Sequence, residues 1–309
     1  LGGGELEVYR QIRNAVPILD AAIGKLVRLT GGFTVSCGNR KAERELERFL
    51  KTVNAGRGQV GLESFLAAFL QSMLVYGRAV GEMVVGGNEI TAVLWGDVTK
   101  LYVQEGTSAM EFAFGQWQDG EVKIFPRQNL ILFAAWNPDE ENPYGASVFR
   151  SMPFLVDVLL KIYSTIGTNW ERAGNVRYSV VYKPQDEAGR IDAQERSEQI
   201  ASQWSQAMQE SRHGVVRDFV AVGDVEIKVI GADGQILDSE VPVRQILEQL
   251  VAKTGLPPFL LGLNWASTER MSAQQTDLLT SELWAIRRTV EPVLLRICRL
   301  WMQLHGYAE

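Results

Sequence analysis

Hydrophobic positions in the first 76 residues recur at the three- and four-residue spacing of helices, and after Gly77 they alternate as in strands. Leu6–Ala15 predicts a short helix. Pro17 fits the first turn of a second, whose Leu19, Ala22, Ile23 and Leu26 share one face. Gly31-Gly32 ends that helix, and Phe33–Cys37 predicts a strand. A charged surface helix follows over Arg40–Asn54 with Leu46, Phe49 and Leu50 inward. The next, carrying Leu62, Phe65, Leu66, Phe69, Leu70 and Met73, reads as strongly amphipathic. Strands are expected at Ala79–Val85, Glu89–Trp95, Lys100–Gln104, Glu111–Trp117 and Val122–Phe125. Gly86-Gly87-Asn88 and Gln118-Asp119-Gly120 supply hairpin-turn chemistry between them. Helices followed by an antiparallel meander make this region an α+β domain.

The turn-rich stretch Asn137–Gly145 precedes a long predicted helix, Ala146 to Arg172, about 40 Å at the helical rise. Met152, Leu155, Leu159, Ile162 and Ile166 form its apolar stripe, and Asp157, Lys161, Ser164, Thr168 and Glu171 a separate polar one. Periodicity leaves open which stripe faces inward. A strand is expected at Arg177–Lys183. A helix opened by Asp192 with Glu195 three residues on, as in a capping box, buries Ile200, Trp204 and Met208. Short strands follow at Phe219–Val222 and Val225–Ile230, flanking a Gly223-Asp224 turn. Helix Val243–Thr254 ends at Gly255, and Leu256–Leu263, with two prolines, cannot continue it. Asn264–Gln274 reads as a polar loop. The last helix, Gln275 to Leu304, has a seam of Leu279, Leu283, Ile286, Val290, Leu294, Ile297 and Trp301, with Pro292 expected to kink it.

Composition narrows the class. The 309 residues are 46% hydrophobic and 22% charged, ordinary for a soluble globular chain with room for two modest domains or one larger one. No apolar run approaches the roughly 20 residues of a membrane span, and Leu1–Glu5 shows no signal-peptide pattern. Cys37 and Cys298 cannot form a disulfide framework of the secreted type. The net charge of −6 argues against tight binding of nucleic acid through its phosphates.

Candidate chemistry is sparse. Gly56–Gly61 matches GxGxxG, but a charged helix precedes it, and Gly77-Arg78 stands where the fingerprint's acidic residue belongs; it reads as a linker. Asp139-Glu140-Glu141 lacks calcium-loop spacing and reads as a solvated turn. His213 lies in a polar turn without ligand-type neighbours, and His305 suits a helix C-terminus. No phosphate-binding P-loop, GxSxG or HExxH is present. These readings predict no metal, no cofactor and no enzyme activity.

Four segments carry a further signal. They are Tyr76–Val85, opening Tyr-Gly-Arg-Ala; Asn142-Pro-Tyr-Gly-Ala-Ser-Val-Phe149, leading into the long helix; Thr254-Gly-Leu-Pro-Pro-Phe-Leu-Leu-Gly262; and Gln274-Gln-Thr-Asp with Thr289-Val-Glu-Pro292 on the last helix. In this order, over nearly the whole chain, they resemble the portal proteins of tailed bacteriophages. The resemblance implies a portal-like α+β architecture: an α/β wing at 1–135, a loop and first stem helix at 136–174, and a small clip at 175–237. A second stem helix at 238–255, a tunnel loop at 256–274 and a kinked wing helix at 275–309 follow, with the crown of many portals absent or trimmed.

The resemblance also implies a function. The chain would form a ring, usually of twelve copies, at one capsid vertex of the virion, assembled in the host cytoplasm. Double-stranded DNA would pass through it without tight binding. Its partners would be the terminase large subunit, neck or adaptor proteins, and major capsid and scaffold proteins, with no membrane. Asn264, Trp265, Ser267, Thr268, Glu269 and Arg270 would face the DNA at the tunnel loop, and the stripe of Asp157, Lys161, Thr168 and Glu171 would mark the stem. Two local alternatives stand: Trp265 packed on Pro257-Pro258, and Arg270 paired to a neighbouring subunit. Two global ones are a monomeric hydrolase or transferase using Asp97, Asp139 and Glu141, and a capsid scaffold or adaptor without a channel.

Overall fold

The structure, a computed structural model, describes residues 3–106, 111–174, 177–182, 193–212, 225–230, 239–263 and 269–307. The fold is mixed helix and sheet. Two compact units divide the chain: Leu1–Leu159 with Val241–Glu309, and Leu160–Glu240.

The larger unit is built on four helices: α1 (Gly3–Ala15), α2 (Pro17–Thr30), α3 (Arg40–Thr52) and α4 (Leu62–Tyr76). The predicted stripe of α2 is buried, and Pro17 takes its first turn. Asn39 caps α3, its side-chain Oδ1 accepting from the Lys41 and Ala42 amides, 2.9 and 3.2 Å. Helix α4 departs from the amphipathic expectation. Glu63 is its one exposed residue, because α1–α3 pack on it from one side and a sheet from the other.

That sheet has the order β2-β1-β4-β3-β8, from β1 (Asn54–Gly56), β2 (Gln59–Val60), β3 (Arg78–Gly86), β4 (Glu89–Trp95) and β8 (Ile131–Ala135). A separate three-stranded sheet, β5-β6-β7, comprises Leu101–Glu105, Phe112–Gln118 and Glu121–Ile124. The single meander is therefore corrected to two sheets. Gly96 and the Asp97 turn, whose carboxylate accepts from the Thr99 amide at 3.0 Å and its hydroxyl at 2.6 Å, lead the chain away from β4. The apolar run at 131–135 then returns to pair with β3, from Arg78↔Ala135 to Glu82↔Ile131. Between the sheets lies a second core of Val80, Val98, Phe114 and Ile131, rimmed by Phe112 and Phe133 at 5.7 Å between ring centres.

Three local expectations also change. Gly56–Gly61 is a hairpin rather than a linker. Gly56, Arg57, Gly58 and Gly61 all take positive φ, and β1 adds in parallel to β4 at Asn54↔Ala92. Phe33–Cys37 is not a strand. Phe33, Val35 and Cys37 are half-buried in alternation, yet among the described residues no strand pairs with the segment. The long helix starts later than predicted: α5 runs Pro153–Gly174, because Ser151 at φ 77 breaks the chain just before Pro153.

Two further helices of the larger unit close it. In α7 (Glu240–Lys253), Ile246, Leu250 and Val251 are buried. Helix α8 (Glu269–Leu304) is continuous through Pro292, which is exposed, so the carbonyl it leaves unbonded can meet water. The predicted seam of α8 is buried except Leu294, which is half-buried.

The smaller unit holds the end of α5, helix α6 (Ala193–Arg212) and the antiparallel pair β9 (Arg177–Tyr182) and β10 (Val225–Ile230). Ile200 and Trp204 are half-buried on α6. The predicted Asp192 cap, the strand Phe219–Val222, the Gly223-Asp224 turn and His213 lie outside the described residues.

Candidate functional site

Two of the four segments singled out in the sequence meet. Gly77, at φ 77, ends α4, and Gly145, at φ 96, ends the loop before α5. A Cβ on Gly145 would lie 2.0 Å from the Gly77 carbonyl oxygen, and one on Gly77 would lie 2.6 Å from the Ser147 nitrogen. Only glycines allow the two backbones to come this close. The Trp136 amide donates to the Gly77 carbonyl and the Ala146 amide to the Trp136 carbonyl, both at 2.7 Å. The buried Ser147 hydroxyl donates to the Val75 carbonyl at 2.5 Å and accepts from the Phe149 amide at 2.9 Å. The passage into α5 is thereby fastened to the end of α4.

The acidic turn has a structural task beside this knot. Asp139 accepts from Arg150 at 2.7 Å and from the Asn142 amide at 2.7 Å. Those two bonds, the guanidinium's first, hold its carboxyl below the ordinary range. A carboxylate kept ionised in this way is unsuited to act as a general acid at neutral pH. Asp97 is engaged in its own turn. Among the described residues no three His, Cys, Asp or Glu side chains gather as metal ligands.

The third segment closes the same region. Thr254 is buried, with its hydroxyl on the Val251 carbonyl at 2.7 Å, and Gly255 turns at φ 72 against the Glu282 side chain. Asp139, Arg150, Lys253 and Glu282 line one cleft of about 380 Å³ between this turn, the Asn137–Gly145 loop and α8.

The fourth segment lies on a helix clamped along its length. Arg287 donates to the Thr30 carbonyl at 2.8 Å, satisfying the C-terminus of α2. Arg296 donates to Ile131 and Asn129 carbonyls at 3.0 and 2.7 Å. Trp301 stacks between Phe49, 5.9 Å away, and His305, 4.1 Å away, and the His305 ring nitrogen bonds the Trp301 carbonyl. Burial pushes the Cys298 thiol up to about 11.

Of the stem residues, Asp157, Lys161, Thr168 and Glu171 are all exposed on α5, as is Ser164. Of the predicted apolar stripe, Met152 and Leu159 are buried and Leu155, Ile162 and Ile166 half-buried; on the same side Val156 is buried, whereas Tyr163 and Trp170 are 46% and 64% exposed. Phe154 is exposed on another face. Sequence reading missed Tyr163 and Trp170, although their seven-residue spacing on the apolar side was a visible signal. It also missed Arg287 and Arg296, whose carbonyl partners lie 165 or more positions away. At the predicted tunnel loop, Asn264, Trp265, Ser267 and Thr268 fall outside the described residues. Glu269 and Arg270 belong to the first turn of α8 rather than to a loop, so that helix starts six residues earlier than expected.

No protein-family model and no curated protein matches the chain. Solved structures do. A chain of the virion of a native gene transfer agent particle is 17% identical with a TM-score of 0.69, over 97% of this chain and 81% of that one. A chain from the neck of that particle, computed with C12 symmetry, is 18% identical with a TM-score of 0.62, over 96% and 81%. An HK97-family phage portal protein from Corynebacterium diphtheriae is 11% identical with a TM-score of 0.53, over 92% and 89%. The four segments thus sit in a fold that this chain shares with a phage portal protein and with chains of a virion particle.

Proposed function

We propose that the chain is the subunit of a portal ring, about twelve copies around a channel at one capsid vertex, in a phage or phage-like particle. Double-stranded DNA enters and leaves through the channel, a terminase motor docks during packaging, and neck proteins bind afterwards. The observation that carries the reading is the division of α5. Its apolar side is buried at Val156 and Leu159, while Tyr163 and Trp170 on the same side remain exposed, with charged and hydroxylic residues opposite. A wall helix needs such a surface, with aromatic area for a neighbouring copy and a polar side for a hydrated bore.

The fold shared with virion and neck chains over nearly the full length supports the same reading. The net charge of −6 supports passage rather than capture, since repulsion of phosphates lets a duplex slide. In this reading residues 1–135 and 275–309 form the wing, 136–174 and 238–255 the stem, 175–237 the clip and 256–274 the tunnel loop. Asn264, Trp265, Ser267, Thr268, Glu269 and Arg270 approach the duplex, while Asp157, Lys161, Thr168 and Glu171 line the stem. The complex works by guiding and anchoring, without catalysis, in the virion after assembly in the host cytoplasm.

Mass photometry and negative-stain imaging of the purified chain test this. The expected species is a closed ring near twelve times the 34.4 kDa subunit mass, with a central bore. A stable monomer at all micromolar concentrations, in which Tyr163 and Trp170 exchange freely with solvent, overturns it. In particles, a Trp265→Ala, Arg270→Ala double variant should package less DNA, and normal packaging would remove those two side chains from the mechanism.

A further inference from the structure

Arg78 is the first residue of β3 and is 7% exposed, yet its Nε has no hydrogen-bond partner, and no carboxylate pairs with it among the described residues. Burial is the main influence on this guanidinium and pulls its pKa down. The charges of Glu5 and Tyr144 pull it partly back, and Glu5 is already bonded to the Tyr9 hydroxyl at 2.5 Å. A buried guanidinium nitrogen without an acceptor is costly, so the position favours an anion.

The guanidinium borders an open cleft of about 600 Å³ whose other walls, among the described residues, are Tyr144 and strand β5. All five β5 residues, Leu101 to Glu105, line it. Successive side chains of a strand point to opposite faces, so lining by every residue means that the cleft runs along the main-chain edge. Among the described residues β5 pairs with β6 alone, and beyond Leu101, whose amide already donates to the Val98 carbonyl at 3.3 Å, the other edge of the strand is free. A free edge presents unpaired amide and carbonyl groups, the template onto which an extended peptide adds.

We propose that the cleft is a strand-addition site. An extended segment of a partner protein pairs with the β5 edge and seats an aspartate or glutamate side chain on Arg78. The main-chain edge favours a peptide over a free small anion, and Arg78, the one buried charged side chain among the described residues, selects an acidic one, in the planar two-bond geometry that guanidinium and carboxylate share. This inference does not depend on the channel reading.

The test uses the full chain and blocked seven-residue peptides alternating valine and threonine, with one glutamate walked through each position. Titration by fluorescence anisotropy should find at least one register that binds, with its glutamine counterpart weaker by about tenfold or more. Bound peptide should slow amide hydrogen exchange within Tyr102–Glu105. Arg78→Met should abolish the preference for glutamate and, by removing a buried unpaired charge, leave the melting temperature unchanged or higher. Sodium acetate and inorganic phosphate serve as free anions. Protection of β5 by acetate or phosphate alone, equal affinity for glutamate and glutamine peptides, or no binding in any register overturns the proposal. So does a lower melting temperature in Arg78→Met, which would mark the guanidinium as structural.

Discussion

At the scale of single residues, the tightest constraint is the contact between Gly77 and Gly145. Gly145→Ala would force a Cβ to within 2.0 Å of the Gly77 oxygen at a positive φ, with Trp136 backbone atoms at 2.8 and 3.0 Å. The chain cannot absorb that by turning a flexible side chain, so urea unfolding should show a loss of about 3 kcal/mol or more. Asp139 supplies a prediction in pH. Its folded pKa lies below the ordinary 3.8, so its contribution to stability is present above the unfolded carboxyl's pKa and fades as pH falls through the folded value. NMR titration of the Asp139 carboxyl should give a midpoint below 3.8, and Arg150→Gln should move it upward. An unmoved midpoint would remove Arg150 as the cause. The sequence showed these residues as turn chemistry. It did not show that the two glycines touch, because they stand 68 positions apart and pair through backbone atoms that no side-chain pattern marks.

At the scale of elements, periodicity predicted buried faces better than partners. The stripes of α2 and α8 were legible because a helix repeats its buried face every three to four residues whatever it packs against. Phe33–Cys37 shows the converse. It has the alternation of a strand and, among the described residues, no neighbour to pair with, while the glycine-rich Gly56–Gly61, with no alternation, folds into a hairpin because β4 offers an edge. The attachment of α8 is open to test. Trp301 is buried among Phe49, His305 and the nearby Tyr307, and Tyr307 donates to Glu45 at 2.7 Å. Trp301→Ala should cost about 3–5 kcal/mol in denaturant unfolding and release the end of α8 to faster hydrogen exchange.

At the scale of the whole molecule, the exposed aromatic side of α5 separates folding from assembly. Tyr163→Glu with Trp170→Glu changes two surface positions, so subunit stability should stay within about 0.5 kcal/mol, while the ring species in mass photometry disappears. If the variant assembles normally, the copies meet through another surface. No helix of the described residues is long and apolar enough to cross a membrane. The solved structures that share the fold do so at 11–18% identity, a range in which buried patterns persist while surface chemistry diverges.

Read alone, the chain determined where its helices and most of its strands run, which faces they bury, and where glycine and proline interrupt them. These are local properties, set by neighbours within a few positions. The tertiary structure alone decided that the strands of the larger unit divide between two sheets, that α4 is packed between helices and a sheet, and that the passage into α5 is bolted to the end of α4. It alone placed Arg78 beside a free strand edge. Each of these depends on meetings between segments far apart in the chain, and hydrophobic burial, being without direction, does not specify in the sequence which apolar surface will cover which.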